Sequence, residues 1–229
     1  MDKHRTFWNK EYLTSEHLAL STEPAEDLQK FVRFLERQTK REILNIRSTV
    51  LDLGCGNGRN LIYLAENFGM KGIGYDISDV AISEAKQASR DLPIEYEVRS
   101  IAEPLPLRDE SVNMALDMMT SHFLRSAERE ALRAEILRVL RHQGWFFFKS
   151  FLAEEDLNVK RLLHDHPADE PNSYIHPELG VYEHVWTEDE LHDSFSPYFE
   201  IHKVHKSHKH LNRGRAGRRR TISAYLQKL

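Results

Sequence analysis

Three glycines at alternate positions, Gly54, Gly56 and Gly58, follow a short apolar run of Val50, Leu51 and Leu53 that encloses one acid, Asp52. Glycines spaced this way let the backbone turn through positive φ and leave no Cβ between the chain and a ligand lying on it. A second acid, Asp76, ends the segment Gly72-Ile73-Gly74-Tyr75-Asp76, about where an acid following a glycine turn accepts from ribose hydroxyls. Further along, Asp117 and His122 are the titratable groups of the segment Asp117 to Phe123. Either suits taking a proton from a hydroxyl, amine or thiol, with His the better matched to neutral pH. His122 has a second reading, as a residue that caps or packs a helix start.

The elements that position these groups follow from the pattern around them. The apolar run before the glycines suits a buried parallel strand, and from Arg59 the spacing of Leu61, Leu64, Ala65 and Phe68 predicts a helix. Strand, glycine turn and helix make a nucleotide-binding element whose helix N-terminus points at the ligand. The glycine order is G-x-G-x-G, with Arg59 where a dinucleotide-binding fold places its third glycine. Asp52 would repel a diphosphate and help hold an ammonium group. An adenosine carrying a zwitterionic amino acid therefore fits better than NAD.

The segment from Val50 to Ser78 resembles the class I S-adenosylmethionine-dependent methyltransferases, whose first motif reads close to V-L-D-L-G-C-G-N-G and whose second motif ends in an acid like Asp76. The resemblance implies an α/β fold with a seven-stranded, mostly parallel sheet flanked by helices and a last strand antiparallel to the others. It implies S-adenosylmethionine as cofactor, with Asp52, Gly54, Cys55, Gly56, Asn57 and Gly58 around its methionine end and Asp76 on the ribose. Ile77, Ser100, Ile101 and Ala102 would border the adenine, Ser100 standing where the family often has an acid. Asp117 and Met118 would complete the cofactor site. Cys55 reads as a small residue packed beneath the ligand rather than as a nucleophile. The implied acceptor is a small molecule, with Trp8, Tyr12, His122, Phe123, Tyr182 and His184 as candidate contacts and Asp117 or His122 as candidate base.

The remaining elements are read in chain order. Residues 1–23 form an aromatic-rich N-terminal arm, followed by a helix from Pro24 with Thr22 as its cap and Leu28, Phe31, Val32 and Leu35 on its buried face. Ser78 caps a helix carrying Ala81, Ile82, Ala85 and Ala88. Strands are predicted over Ile94 to Val98, from Val112 to Met118 and from Trp145 to Phe148, the last entered by a turn at Gly144. Residues 152–186 read as a lid-like insert after strand five. The insert ends at a capping box, Thr187 to Glu190, with Trp186 and Leu191 as its staple. His164-Asp165-His166 reads as a solvated loop, so no metal is expected.

The chain has 229 residues, net charge −4 and one cysteine. This suits a single α/β domain over 1–229, without an internal disulfide and with no overall pull toward nucleic acid. No apolar run reaches membrane-spanning length and no signal-peptide core follows Met1, so the expected location is cytoplasmic. Lys203 to Arg220 holds eight Lys or Arg and three His. It reads as a solvated hairpin, ahead of a contact to an RNA or protein acceptor because no aromatic is there to stack on a base, and such a basic loop could equally hold an anionic small substrate.

Overall fold

The computed structural model describes residues 3–14, 21–40, 42–207, 211–212, 215–216 and 219–229. Its centre is a seven-stranded sheet. The strands in chain order are β1 (Thr49–Leu53), β2 (Lys71–Asp76), β3 (Ile94–Val98), β4 (Val112–Met118), β5 (Leu140–Phe151), the short β6 (Ser173–Ile175) and β7 (Tyr182–His184), then β8 (Phe199–Lys206). The two-residue strands β9 (Leu211–Asn212) and β10 (Arg215–Ala216) precede the last, β11 (Thr221–Lys228). The main sheet has the order β3-β2-β1-β4-β5-β11-β8. β11 runs antiparallel to both neighbours, and every other pair in the central part is parallel. The chain winds outward from β1 to β3 and then returns to β4 beside β1. Ligands in such sheets sit at the carboxyl ends of the strands at this reversal.

The helices are α1 (Lys3–Thr14), α2 (Glu26–Thr39), α3 (Arg59–Phe68), α4 (Asp79–Ala88), α5 (Ser126–Val139), α6 (Leu157–Asp165) and α7 (Glu188–Phe195). Leu28, Phe31, Val32 and Leu35 of α2 are fully buried against Trp145, Phe147 and Tyr225, with the Phe31 ring 5.0 Å from Phe147 and 4.8 Å from Tyr225. Burying a side chain of this kind contributes about 1.5–3 kcal/mol. The helix starts one turn later than Thr22 would set. Ala25 is its extended N-cap, and the Ala25 amide donates to Asn60 Oδ1 at 3.1 Å. Ser78 does cap α4, its Oγ accepting from the Ala81 amide at 3.1 Å.

Two turns depart from the sequence reading for local reasons. At the entry to β5 the left-handed residue is Gln143, with φ 61°, rather than Gly144. Gly144 is needed for space, since a Cβ there would lie 2.7 Å from the Arg141 carbonyl oxygen. At α7, Thr187 Oγ1 accepts from the Glu190 amide at 3.0 Å, while the Glu190 carboxylate turns to His184 Nε2 at 2.7 Å instead of closing the box. Trp186 and Leu191 are both buried in the same core, as a staple requires.

The insert has its own small core of Val159, Leu162, Tyr174 and Val185. Its start is tied to the end of the chain through Asp156. That side chain caps α6 by accepting from the Asn158 and Val159 amides, and its other oxygen accepts from the Arg220 amide at 2.6 Å. The Arg220 guanidinium pairs with Glu155 and donates to the Ser207 carbonyl. His164 and His166 are exposed, and His164 meets Asp165. No helix among the described residues is long and apolar enough to cross a membrane.

Candidate active site

The carboxyl ends of β1, β2, β4 and β5, the arm helix α1 and the insert enclose a cleft of about 800 Å³. Its two ends are built differently. At one end lie Gly54, Cys55, Gly56, Asn57, Asp76, Ile77, Ser100, Ile101 and Ala102. Asp76 accepts from the Gly56 amide at 2.9 Å through one oxygen and from the Ser78 amide at 2.9 Å through the other, so the second acid locks the glycine turn to β2. Gly56 carries φ 56°, and a Cβ there would sit 2.4 Å from the hydroxyl of Tyr12, which lies over the turn. Gly58 has another role, as the left-handed N-cap of α3 packed against Tyr96, and does not line the cleft.

Asp52 lies beneath this turn, fully buried, with neither carboxylate oxygen hydrogen-bonded among the described residues. Burial, reinforced by Asp76 and Asp117, raises its pKa to about 7. Asp117, the other buried acid, is differently placed. Its Oδ1 accepts from the Thr120 and Ser121 amides at 3.3 and 3.1 Å, and it lines a separate cavity of about 70 Å³. Burial raises it to about 6. The expectation that Asp117 works in the cleft is corrected here: its carboxylate anchors the turn after β4, and the cleft wall is made by Met118, Met119 and Thr120. Met119 holds φ 70°, a conformation uncommon for a residue with a Cβ.

The other end is lined by side chains from distant parts of the chain: Trp8, His122, Phe123, Lys149, Phe151, Glu183 and Arg219 among them. The arm is held down by Arg5 and Asn9 on Asp79 and by Ser78 Oγ donating to Asn9 Oδ1 at 2.7 Å. Trp8 meets Phe123 edge-on with centroids 5.0 Å apart. Trp8, Tyr12, His122 and Phe123 thus line one cleft. Tyr182 and His184 do not. On β7 alternate side chains face opposite ways, so Glu183 turns into the cleft while Tyr182 bonds to Glu170 and His184 to Glu190.

His122 is buried with both ring nitrogens unpartnered among the described residues. Burial lowers its pKa to about 3, the nearby charges of Arg219 and Arg129 acting the same way and Glu183 opposing them. The imidazole is therefore neutral at physiological pH. This corrects the expectation of a base matched to neutral pH: the ring can accept or donate a hydrogen bond but holds a proton weakly.

Glu183 and Arg219 carried no signal in the sequence. Glu183 Oε2 accepts from Tyr174 Oη at 2.5 Å and from Arg219 Nη1 at 2.6 Å. Burial pushes the Glu183 carboxyl up, but the Arg219 charge and the hydrogen bonds from Tyr174 and Arg219 bring it below its ordinary value. Lys149, at the end of β5, donates to Asp27 Oδ2 at 2.6 Å. The strand-end rule would have found Lys149; nothing short of the fold would have found Arg219.

A family model described as a methyltransferase domain matches residues 50–144, the span from β1 to the entry of β5. A solved S-adenosylmethionine-dependent methyltransferase from Methanosarcina mazei is 26% identical and superposes with a TM-score of 0.70 over 84% of this chain and 97% of its own. Residues 50–144 are thus similar to a methyltransferase domain, and the seven-stranded sheet has the class I methyltransferase fold. The glycine/sarcosine/dimethylglycine N-methyltransferase of Actinopolyspora halophila is 26% identical over 152 residues, covering 64% of this chain and 26% of that protein. The chain thus spans about a quarter of that relative's length. A Burkholderia thailandensis 1,6-didemethyltoxoflavin-N1-methyltransferase, solved with its acceptor and S-adenosylhomocysteine, shares the fold at 17% identity and a TM-score of 0.69, over 98% of this chain and 87% of its own.

Proposed function

We propose that this methyltransferase transfers the methyl group of S-adenosylmethionine to a small molecule held in the enclosed cleft. The observation that carries the reading is the continuity of one cleft, which runs from the glycine turn and Asp76 to a set of aromatic and charged side chains under the arm and the insert. The donor end suits the cofactor. Asp52 does not line the cleft, but its two buried, unpartnered oxygens set a negative charge beneath the turn on which an ammonium group would lie. Asp76 is placed for the ribose hydroxyls, and Ile77, Ile101 and Ala102 offer apolar contact to the adenine.

When bound, S-adenosylmethionine supplies a methyl group already activated by its sulfonium charge. The chain's own contribution is alignment and exclusion of water. Tyr12 and Trp8 roof the cleft, Phe123 and Phe151 wall its acceptor end, and neutral His122 can accept a hydrogen bond from an acceptor hydroxyl or amine at its one unprotonated ring nitrogen. A small acceptor is favoured over RNA because Arg219 and Arg220, directly before β11, have largely buried side chains, Arg219 in the cleft wall beside Glu183 and Arg220 paired with Glu155. The relatives named for sarcosine and for a toxoflavin precursor act on small molecules, in line with this reading.

Calorimetry with S-adenosylmethionine tests the donor end. Binding should be weakened roughly tenfold or more, about 1.4 kcal/mol, by Asp76→Ala. An unchanged affinity in that variant sinks the assignment. Tight binding with no S-adenosylhomocysteine released across a broad acceptor screen would favour a non-catalytic binding module instead.

A further inference from the structure

We infer that the acceptor carries a carboxylate and that Arg219 recognises it, an inference that rests on the methyltransferase reading of the cleft. Arg219 stands in the wall of the acceptor end, beside His122, Phe151 and Glu183. Its guanidinium lies over the Phe151 ring, 3.3 Å from the centroid, which fixes the plane of the group. One corner is committed, since Nη1 donates to Glu183 Oε2 at 2.6 Å. Nε and Nη2 are buried and have no hydrogen-bond partner among the described residues.

These two nitrogens form the side-on edge of a guanidinium, with two roughly parallel N–H groups in one plane. A carboxylate matches that edge with both oxygens at once. An arginine kept only to pair with Glu183 would gain nothing from dehydrating the other edge, and unmade hydrogen bonds on a buried charged group are costly. Occupation by a ligand removes the cost. Glu183 also selects the class of anion. It already balances the Arg219 charge, so a planar monoanion is accommodated while a phosphate dianion would meet a carboxylate next to its site.

The ring of His122, the Arg219 edge and the donor end line the same cleft. An acceptor anchored by its carboxylate on Arg219 would thus present a second group toward the methyl donor. Arg219 is in this sense a specificity-determining residue, touching the acceptor away from the atoms that react.

The test uses the full chain saturated with S-adenosylhomocysteine and titrated with matched acids and amides: 4-hydroxybenzoate and 4-hydroxybenzamide, hexanoate and hexanamide, 3-aminopropanoate and its amide. In at least one pair the acid should bind roughly tenfold more tightly than the amide, and Arg219→Gln should abolish the difference. Arg219→Lys keeps the charge near Glu183 and Phe151 but loses the fork, and should cut the preference at least threefold or so. It serves as the second variant if Arg219→Gln fails to fold. Equal response to acid and amide in every pair, including no response to either, overturns the inference, as does a preference that persists in both variants. Titration with S-adenosylhomocysteine keeps the two claims apart: if wild type does not bind it, the donor reading has failed, whereas intact binding beside a lost acid preference locates the effect at Arg219.

Discussion

The donor end and the acceptor end of the cleft are walls of one cavity, yet they are built on opposite principles. The donor end is made from short contiguous stretches, residues 54–57, 76–77 and 100–102, with two glycines in the turn after β1. The acceptor end takes single side chains from α1, the turn at Ser121–Phe123, β5, β7 and the approach to β11. A backbone-built site holds the part of a ligand that is common to many enzymes, and a side-chain-built site holds the part that differs. The contrast extends to buried acids. Asp52 under the donor end lacks hydrogen-bond partners, whereas Asp156 behind the acceptor end accepts from three amides.

That contrast can be broken by substitution. The largest effect is expected from Asp156→Ala, which removes the cap of α6 and leaves the Arg220 amide unsatisfied. Denaturant unfolding should report a loss of roughly 2–4 kcal/mol. Affinity for S-adenosylhomocysteine in the folded variant should stay within about twofold if the two ends are separately built. A parallel loss of cofactor affinity would join them into one unit.

Asp52→Asn should have a smaller effect, with opposite signs on binding and on folding. Below pH 7 the free protein holds a proton on Asp52, and an ammonium group brought to it favours the ionised form. Binding of S-adenosylmethionine should therefore release a proton and tighten as pH rises through 7, by roughly fivefold to tenfold between pH 6 and 8. In Asp52→Asn this pH dependence should vanish in calorimetry. Folding runs the other way. Between the ordinary carboxyl value of 3.8 and about 7 the native state binds a proton that the unfolded state has lost, so stability falls as pH rises across that window. Thermal melts should find Asp52→Asn stabilised more at pH 8 than at pH 5, and equal shifts at the two pH values would count against a strained acid.

The smallest effect sharpens the boundary between the ends. Ser78 caps α4 and also donates to Asn9 of the arm. Ser78→Ala should cost about 1 kcal/mol of stability. It should also speed proteolysis of the arm relative to the core, which limited digestion would read directly.

The same contrast explains what was legible in the amino-acid order. The strand–turn–helix at Thr49 to Phe68 and the cap at Ser78 are local or pattern-coded, and they stand in the structure where their spacing puts them, while the antiparallel last strand was implied by the family resemblance alone. Ser100 to Ala102 could be located because strand ends are predictable even without an acid there. Tyr182, Glu183 and His184 were a matter of register: a strand of three residues has two faces, and only its partner β6 decides which one meets the cleft. Arg219 was hidden further. Within a run of basic residues nothing distinguishes the one that turns inward, because the acid that draws it in, Glu183, is 36 residues away. His122 was found, but its basicity was not, since burial rather than residue type sets it.

The pairing of β11 between β5 and β8 also orders events in time. Residues up to the end of β5 contain every group of the donor end, and five adjacent strands of the sheet can form from them alone. Arg219, Arg220 and β11 come after all of it in the chain, and Arg219 and Arg220 carry the contacts to Glu183 and Asp156 that hold the insert against the sheet. As the chain emerges during synthesis, the glycine-turn end of the cleft is complete, and Trp8, His122, Phe123 and Phe151 are already made, before Arg219 exists. The cleft's last wall is supplied by some of the last residues to be made.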